Sequence, residues 1–229
     1  LIEILTVIAI IAVIVGILFP VFARVRESAR TRTRISNLSQ LGKAFQVYMQ
    51  DYDGWLPSSK DILAGRGIWV ALSPPCTFAY QPGRCHYLPE QGVIYPYVRD
   101  ARIYVCPSDP WGAETRLSYA MNVALGTEDR VVHESRITKP ASTVLLVEQP
   151  YNTVFHSPGF AGGYGDEPRD VPIPCHTEGE RCVDTPSRTY CFRPVACYHN
   201  NATNVLFVDG HVKTMPQGTL KSSMFWRQQ

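Results

Sequence analysis

Several groups of residues in the chain have the side chains needed for chemistry. His199, Asp209 and His211 could bind a metal or move a proton, Cys175, His176, Cys182 and Cys191 could hold zinc, and Asp51, Asp53 and Gly54 open like a calcium loop. Spacing argues against each. Asp209-Gly210 between two β-like runs is the strongest short-range hairpin signal, and His199 has no thiol or carboxylate at ligand spacing beside it. The cysteines contain no CxxC pair and are read as disulfide partners, and Ile62 occupies the position where a calcium loop needs its bidentate Glu. The glycine-rich GFAGGYG, residues 159 to 165, lacks the strand-then-helix context of a phosphate cradle, and no GxSxG, P-loop or dinucleotide fingerprint occurs. Asn201-Ala202-Thr203 fits an N-glycosylation sequon. The expectation is a protein with no catalytic residues, no cofactor and no metal.

The residue that asks for a function is Glu3, a single carboxylate at the head of LIEILTVIAIIAVIVGILFP. Ile4 to Ala23 carries no charge, and about 20 residues at ~1.5 Å rise match a hydrocarbon core of ~30 Å. A secretory signal peptide needs a basic segment before the apolar run, whereas here the arginines Arg24, Arg26, Arg30, Arg32 and Arg34 follow it. A charge at the centre of a membrane helix costs roughly 2.5–3.5 kcal/mol on insertion scales, less near an end. Such a residue calls for a partner, most simply the free N-terminal amine of a neighbouring chain. The positive end of its own helix dipole also suits a carboxylate.

The elements that would position Glu3 follow from periodicity. Leu38, Leu41, Phe45, Tyr48 and Tyr52 recur at steps of three and four, one face of a helix that should pack on a sheet. Residues 1 to about 52 therefore read as one helix of roughly 75 Å, membrane or filament core over 1–23 and amphipathic over 24–52. Gly16 and Pro20 mark its weakest stretch, because Pro20 cannot donate to the Gly16 carbonyl. A kink or local melting is expected there. The helix should end in DYDGWLP.

Seventeen of the 18 prolines lie beyond that point, with short apolar runs that read as strands: RIYVCP, STVLLVEQ and NVLFVDGHVKTM. Residues 56–229 are thus expected to form a β-rich domain with a small antiparallel sheet covered by the amphipathic helix, giving an α+β chain. Within it, 150–201 reads as an irregular loop region stapled by Cys175, Cys182, Cys191 and Cys197. Cys76 and Cys85 could close a second small loop and leave Cys106 single; spacing does not fix the connectivity. Seven cysteines beside so apolar a segment point to an oxidising compartment. The net charge of +2 names no partner and makes nucleic acid unlikely. The arginine run reads as a solvated face or a set of intersubunit pairs, with a nucleic-acid or lipid-headgroup stripe as the alternative.

LIEILTVIAIIAVIVGILFPVFARVRESAR resembles the N-terminus of the type IV pilin and type II secretion pseudopilin superfamily, whose mature chains begin with Phe-Thr ahead of a Leu-Ile-Glu motif. The present sequence starts inside that pattern, at Leu1. The likeness covers about the first 55 residues and puts Glu3 on the family's assembly glutamate and Pro20 on its helix-breaking proline. HNNATNVLFVDGH, with His199, nine intervening residues and Asp209-Gly210, is similar to one prepilin-like branch, as are YVCPSDP and SYAMN.

The resemblance implies a structural subunit of an extracellular pilus-like homopolymer. It would wait in the bacterial inner membrane, be cleaved by a prepilin peptidase and N-methylated, and be driven into a helical filament by the assembly machinery. Leu1 and Glu3 would be the assembly residues, Glu3 pairing with an adjacent subunit's N-terminal amine, and the helix would unwind around Gly16 to Pro20 on assembly. No small-molecule substrate is implied. The alternatives are a pseudopilin forming a short periplasmic pseudopilus and a membrane-tethered periplasmic binding module.

Overall fold

The computed structural model describes residues 2–59, 67–72, 87–126, 131–149, 159–160, 181–184, 189–192 and 201–225. Helix α1 runs from Ile2 to Asp51. Its exit is a left-handed turn in which Asp53 and Gly54 have φ of 51° and 80° and the Gly54 N–H donates to the Met49 carbonyl at 2.7 Å. That bond satisfies a carbonyl which the helix end would otherwise leave open. DYDG is therefore the helix terminator.

The short elements that follow are β1 (Ala71–Leu72), β2 (Tyr87–Leu88), α2 (Tyr95–Val98), α3 (Gly112–Thr115), β3 (Tyr119–Asn122), β4 (Val144–Glu148), β5 (Gly159–Phe160), β6 (Arg181–Asp184), β7 (Thr189–Phe192), β8 (Ala202–Phe207) and β9 (Val212–Pro216). Strands β3, β4, β8 and β9 form an antiparallel sheet in the order β3-β4-β8-β9, and the two-residue β5 joins its edge parallel to β3. The chain is thus mixed helix and sheet.

The inner strands β3, β4 and β8 are buried on both faces, while the edge strand β9 is mostly exposed. Tyr119, Met121, Leu145, Leu146 and Leu206 share one apolar cluster with Leu38, Leu41, Phe45 and Tyr48 of α1. Ala120, Val144, Val147, Val205, Phe207 and Met215 face the other way, against Leu220 and Phe225. A register shift between Val144 and Leu146 explains why consecutive Leu145 and Leu146 both point to the helix, since a bulge adds a residue and resets the alternation. Helix and sheet approach closely at Gly42, where a Cβ would come within 2.8 Å of Leu206 Cδ1.

NVLFVDGHVKTM forms β8, a turn and β9. The turn holds three residues rather than the two that Asp-Gly suggests: Phe207 N–H donates to the His211 carbonyl at 3.0 Å, and Gly210 sits at φ 91°. A type I turn followed by a left-handed glycine is the usual way to close such a loop. STVLLVEQ contains β4.

RIYVCP is not a strand. Ala101–Tyr104 is a 3₁₀ turn, because the Asp100 side chain accepts from the Arg102 N–H at 2.9 Å and caps it. Melting at Gly16–Pro20 is likewise absent: α1 continues through these residues. The missing N–H and the crowding of the preceding turn by the ring cost about 3 kcal/mol locally, and the helix ladder nevertheless continues on either side. Among the described residues no helix is long and apolar enough to cross a membrane. The expected span from Ile4 to Ala23 includes Leu5, Pro20, Val21 and Ala23, whose side chains lie outside the described residues, so the unbroken described run is Thr6 to Phe19.

Candidate functional site

Helix α1 has two environments. From Arg34 onward the residues facing the sheet are buried, with Leu38, Leu41, Phe45 and Tyr48 each at 0% exposure. Before it, Ile4, Val7, Ile8, Ile10, Ile11, Val13, Ile14, Val15, Ile17, Leu18, Phe19 and Phe22 are large, apolar and exposed, Phe19 to 72%. Single exposed apolar residues are normal, but a contiguous run of this size marks a surface built to meet another apolar body. A Cβ added at Gly16 would meet nothing within 4 Å.

Glu3 lies exposed in the first turn, where the positive end of the helix dipole favours an anion. Thr6 Oγ1 donates to the Glu3 main-chain carbonyl at 2.8 Å within the same turn. Leu1 lies outside the described residues.

Arg34 marks the border between the halves. It is 1% exposed; its guanidinium bonds to Glu27 at 3.1 Å and Nη1 donates to Ser108 Oγ at 2.8 Å. One turn further, Asn37 Nδ2 donates to the Val105 carbonyl at 3.2 Å. These contacts anchor the point where the helix leaves the domain. Reading the arginines as one solvated run missed this residue, although Arg34 stands four before Leu38 and seven before Leu41, on the buried face.

Tyr52 departs from the packing face. It falls after the last helical residue and is 41% exposed, stacked on Tyr48 with ring centroids 4.3 Å apart. Tyr48 also meets Tyr97 edge-on at 6.1 Å, and the Tyr97 hydroxyl donates to Asp51 Oδ2 at 2.8 Å, tying the end of α1 to α2.

The sheet interior holds a carboxylate that the sequence did not single out. Glu148, at 0% exposure, accepts from the Asn204 main-chain N–H at 3.0 Å and from Asn204 Nδ2 at 3.1 Å, and so bonds β4 to β8 by side chain as well as by ladder. The Cys106 thiol is buried at the same core, and burial, followed by the nearby Glu148 charge, pushes its pKa far up.

Asp209 and His211 meet at the hairpin, with Nδ1 to Oδ1 at 2.6 Å, but both serve the turn. Asp209 Oδ1 also accepts from the His211 N–H at 3.2 Å, the His211 ring stacks on Phe207 at 4.3 Å, and Gln46 of α1 donates to the Asp209 carbonyl at 2.8 Å. Among the described residues no group of three or more His, Cys, Asp or Glu is placed to hold a metal. His199, Cys76, Cys85, Cys175, His176 and Cys197 lie outside the described residues. Inside the region expected to be irregular, β6 and β7 pair antiparallel with Cys182 opposite Cys191. Directly opposed residues in such a ladder have Cα atoms about 4.5–5.5 Å apart, within the window for a disulfide.

Comparison with protein-family models, with curated proteins and with solved structures found no match to this chain.

Proposed function

We propose that this protein is a structural subunit of a type IV pilus-like helical filament, which polymerises through the first half of α1. The supporting observation is the division of one helix: a domain-buried half and an exposed apolar half that carries one carboxylate in its first turn. An apolar surface of this kind gains roughly 25 cal/mol for each Å² kept from water, which the bilayer provides before assembly and packing against copies of itself provides in the filament. Neighbouring chains would meet Glu3 with an N-terminal amine, and loosening at Gly16–Pro20 would come with assembly rather than before it. Before assembly the protein would reside in the inner membrane with its domain outside the cytoplasm. The processing peptidase and assembly machinery implied by the resemblance belong to the same proposal.

The test is electron microscopy of material sheared from producing cells, beside a Glu3→Ala strain. Filaments containing this protein are expected in the parent and at least tenfold fewer in the variant, because stranding one member of a buried charge pair costs a few kcal/mol. Absence of filaments from the parent, with the protein retained in the envelope, would transfer the assignment to a short pseudopilus or a tethered module.

The Cys182–Cys191 register supports a staple in the outer domain. Peptide mapping under non-reducing conditions is expected to recover the two cysteines in one disulfide-linked species. Recovery of both as alkylated thiols from oxidised material would refute the pairing.

A further inference from the structure

We infer that the arginines just after the exposed apolar run form a collar for anionic lipid headgroups. This rests on the proposed membrane residence before assembly and adds a lipid preference to it. Three arginines carry the inference: Arg26 and Arg32 are exposed and Arg30 half-buried, and none of their side chains has a hydrogen bond or ion pair within the described residues. Arg34 differs, being turned inward to Glu27 and Ser108.

Their placement around the helix identifies the partner. At roughly 100° per residue, Arg26 and Arg30 share one flank of α1 while Arg32 projects from roughly the opposite flank. A duplex or a protein groove docks from one side and would be met by a stripe. A bilayer surface pierced by a helix surrounds it, so cations on opposite flanks within two helical turns suit a layer of headgroups. From Arg26 to Arg32 the rise is about 9 Å, somewhat more than the roughly 5–7 Å interfacial layer of one leaflet, a difference that long arginine stems can span. The collar also begins where the N-terminal run of exposed apolar side chains gives way, after Phe22 and Val25. A guanidinium matches phosphate oxygens in bidentate geometry and can reach out from its stem to the interface.

The experiment measures partitioning of the full chain between detergent-free buffer and vesicles, one set of phosphatidylglycerol with phosphatidylethanolamine and one of phosphatidylcholine alone. Each basic residue near an anionic surface strengthens binding about fivefold, so the triple variant R26Q/R30Q/R32Q is expected to lose on the order of 100-fold toward the anionic vesicles and little toward the neutral ones. Salt at high concentration should erase the difference, and R26K/R30K/R32K should keep most of it, which separates charge from damage to the fold. Equal binding of parent and glutamine variant to anionic vesicles would overturn the collar and leave the filament reading intact. Tight binding of a DNA duplex by the parent, without preference for anionic vesicles, would overturn it in favour of nucleic acid. Failure of the parent to enter either vesicle would overturn it together with the proposed membrane residence.

Discussion

Phe45→Ala is expected to lower the stability of the domain by about 3–5 kcal/mol, the range for truncating a buried aromatic side chain. Phe45 is fully buried in the apolar cluster shared by α1 and the sheet, with its ring centroid 5.9 Å from that of Trp69, and Trp69 in turn stacks on Tyr104 at 6.1 Å. Removing it opens a cavity beside Trp69 in a close-packed cluster that can relax only in part. Typical domains have only 5–15 kcal/mol in hand, so the variant should be close to unfolding at growth temperature. Denaturant titration in mild detergent should show the midpoint falling while the slope is kept. Far-UV helix signal should survive in part, because the apolar half of α1 makes no contact with this core among the described residues. Tyr52→Ala is the control: the same periodicity includes it, yet its ring is 41% exposed and the loss should stay near 1 kcal/mol. Equal losses from the two substitutions would show that the helix does not dock through Phe45.

Glu148→Ala is the second large effect, again about 3–5 kcal/mol. The carboxylate is fully enclosed and receives the Asn204 main-chain N–H at 3.0 Å and its side-chain amide at 3.1 Å. Truncation leaves both donors facing a void, and each buried donor without an acceptor costs about 1–3 kcal/mol. Glu148→Gln should cost less, on the order of 1–2 kcal/mol, since its remaining carbonyl oxygen accepts one of the two bonds. Hydrogen exchange at the Asn204 amide is the local readout: it should quicken in Ala by more than in Gln. Unchanged protection in both would mean that the ladder alone holds β4 to β8.

These two residues also show what could be read beforehand. Phe45 is legible because helix geometry forces residues three and four apart onto one face, and a polar flank on the other side gives contrast. The β8–β9 hairpin is legible for a similar reason, as Asp209-Gly210 can supply the left-handed backbone that few residues adopt. Glu148 is not legible. A carboxylate after VLLV looks like a strand reaching solvent, and only the pairing with β8, more than fifty residues on, encloses it. Strand β3 is not legible either: SYAMN has one aromatic and no β-branched residue, and its strand state comes from burial between β4 and β5 rather than from propensity. RIYVCP fails in the opposite direction, since Asp100 overrides a strand-like composition by capping a turn. Arg34 was hidden by its company, one inward residue among outward neighbours of the same kind.

The buried Cys106 has a practical consequence. With its sulfur enclosed and its deprotonation suppressed, the thiol can react with an alkylating reagent only after the surrounding core opens. When reclosing is faster than labelling, the labelling rate is proportional to the open fraction, so mass spectrometry on the peptide containing Cys106 turns it into a clock for opening. The same clock can be read on free subunits and on polymer, and the ratio of the two rates gives the kinetic protection that neighbouring copies confer.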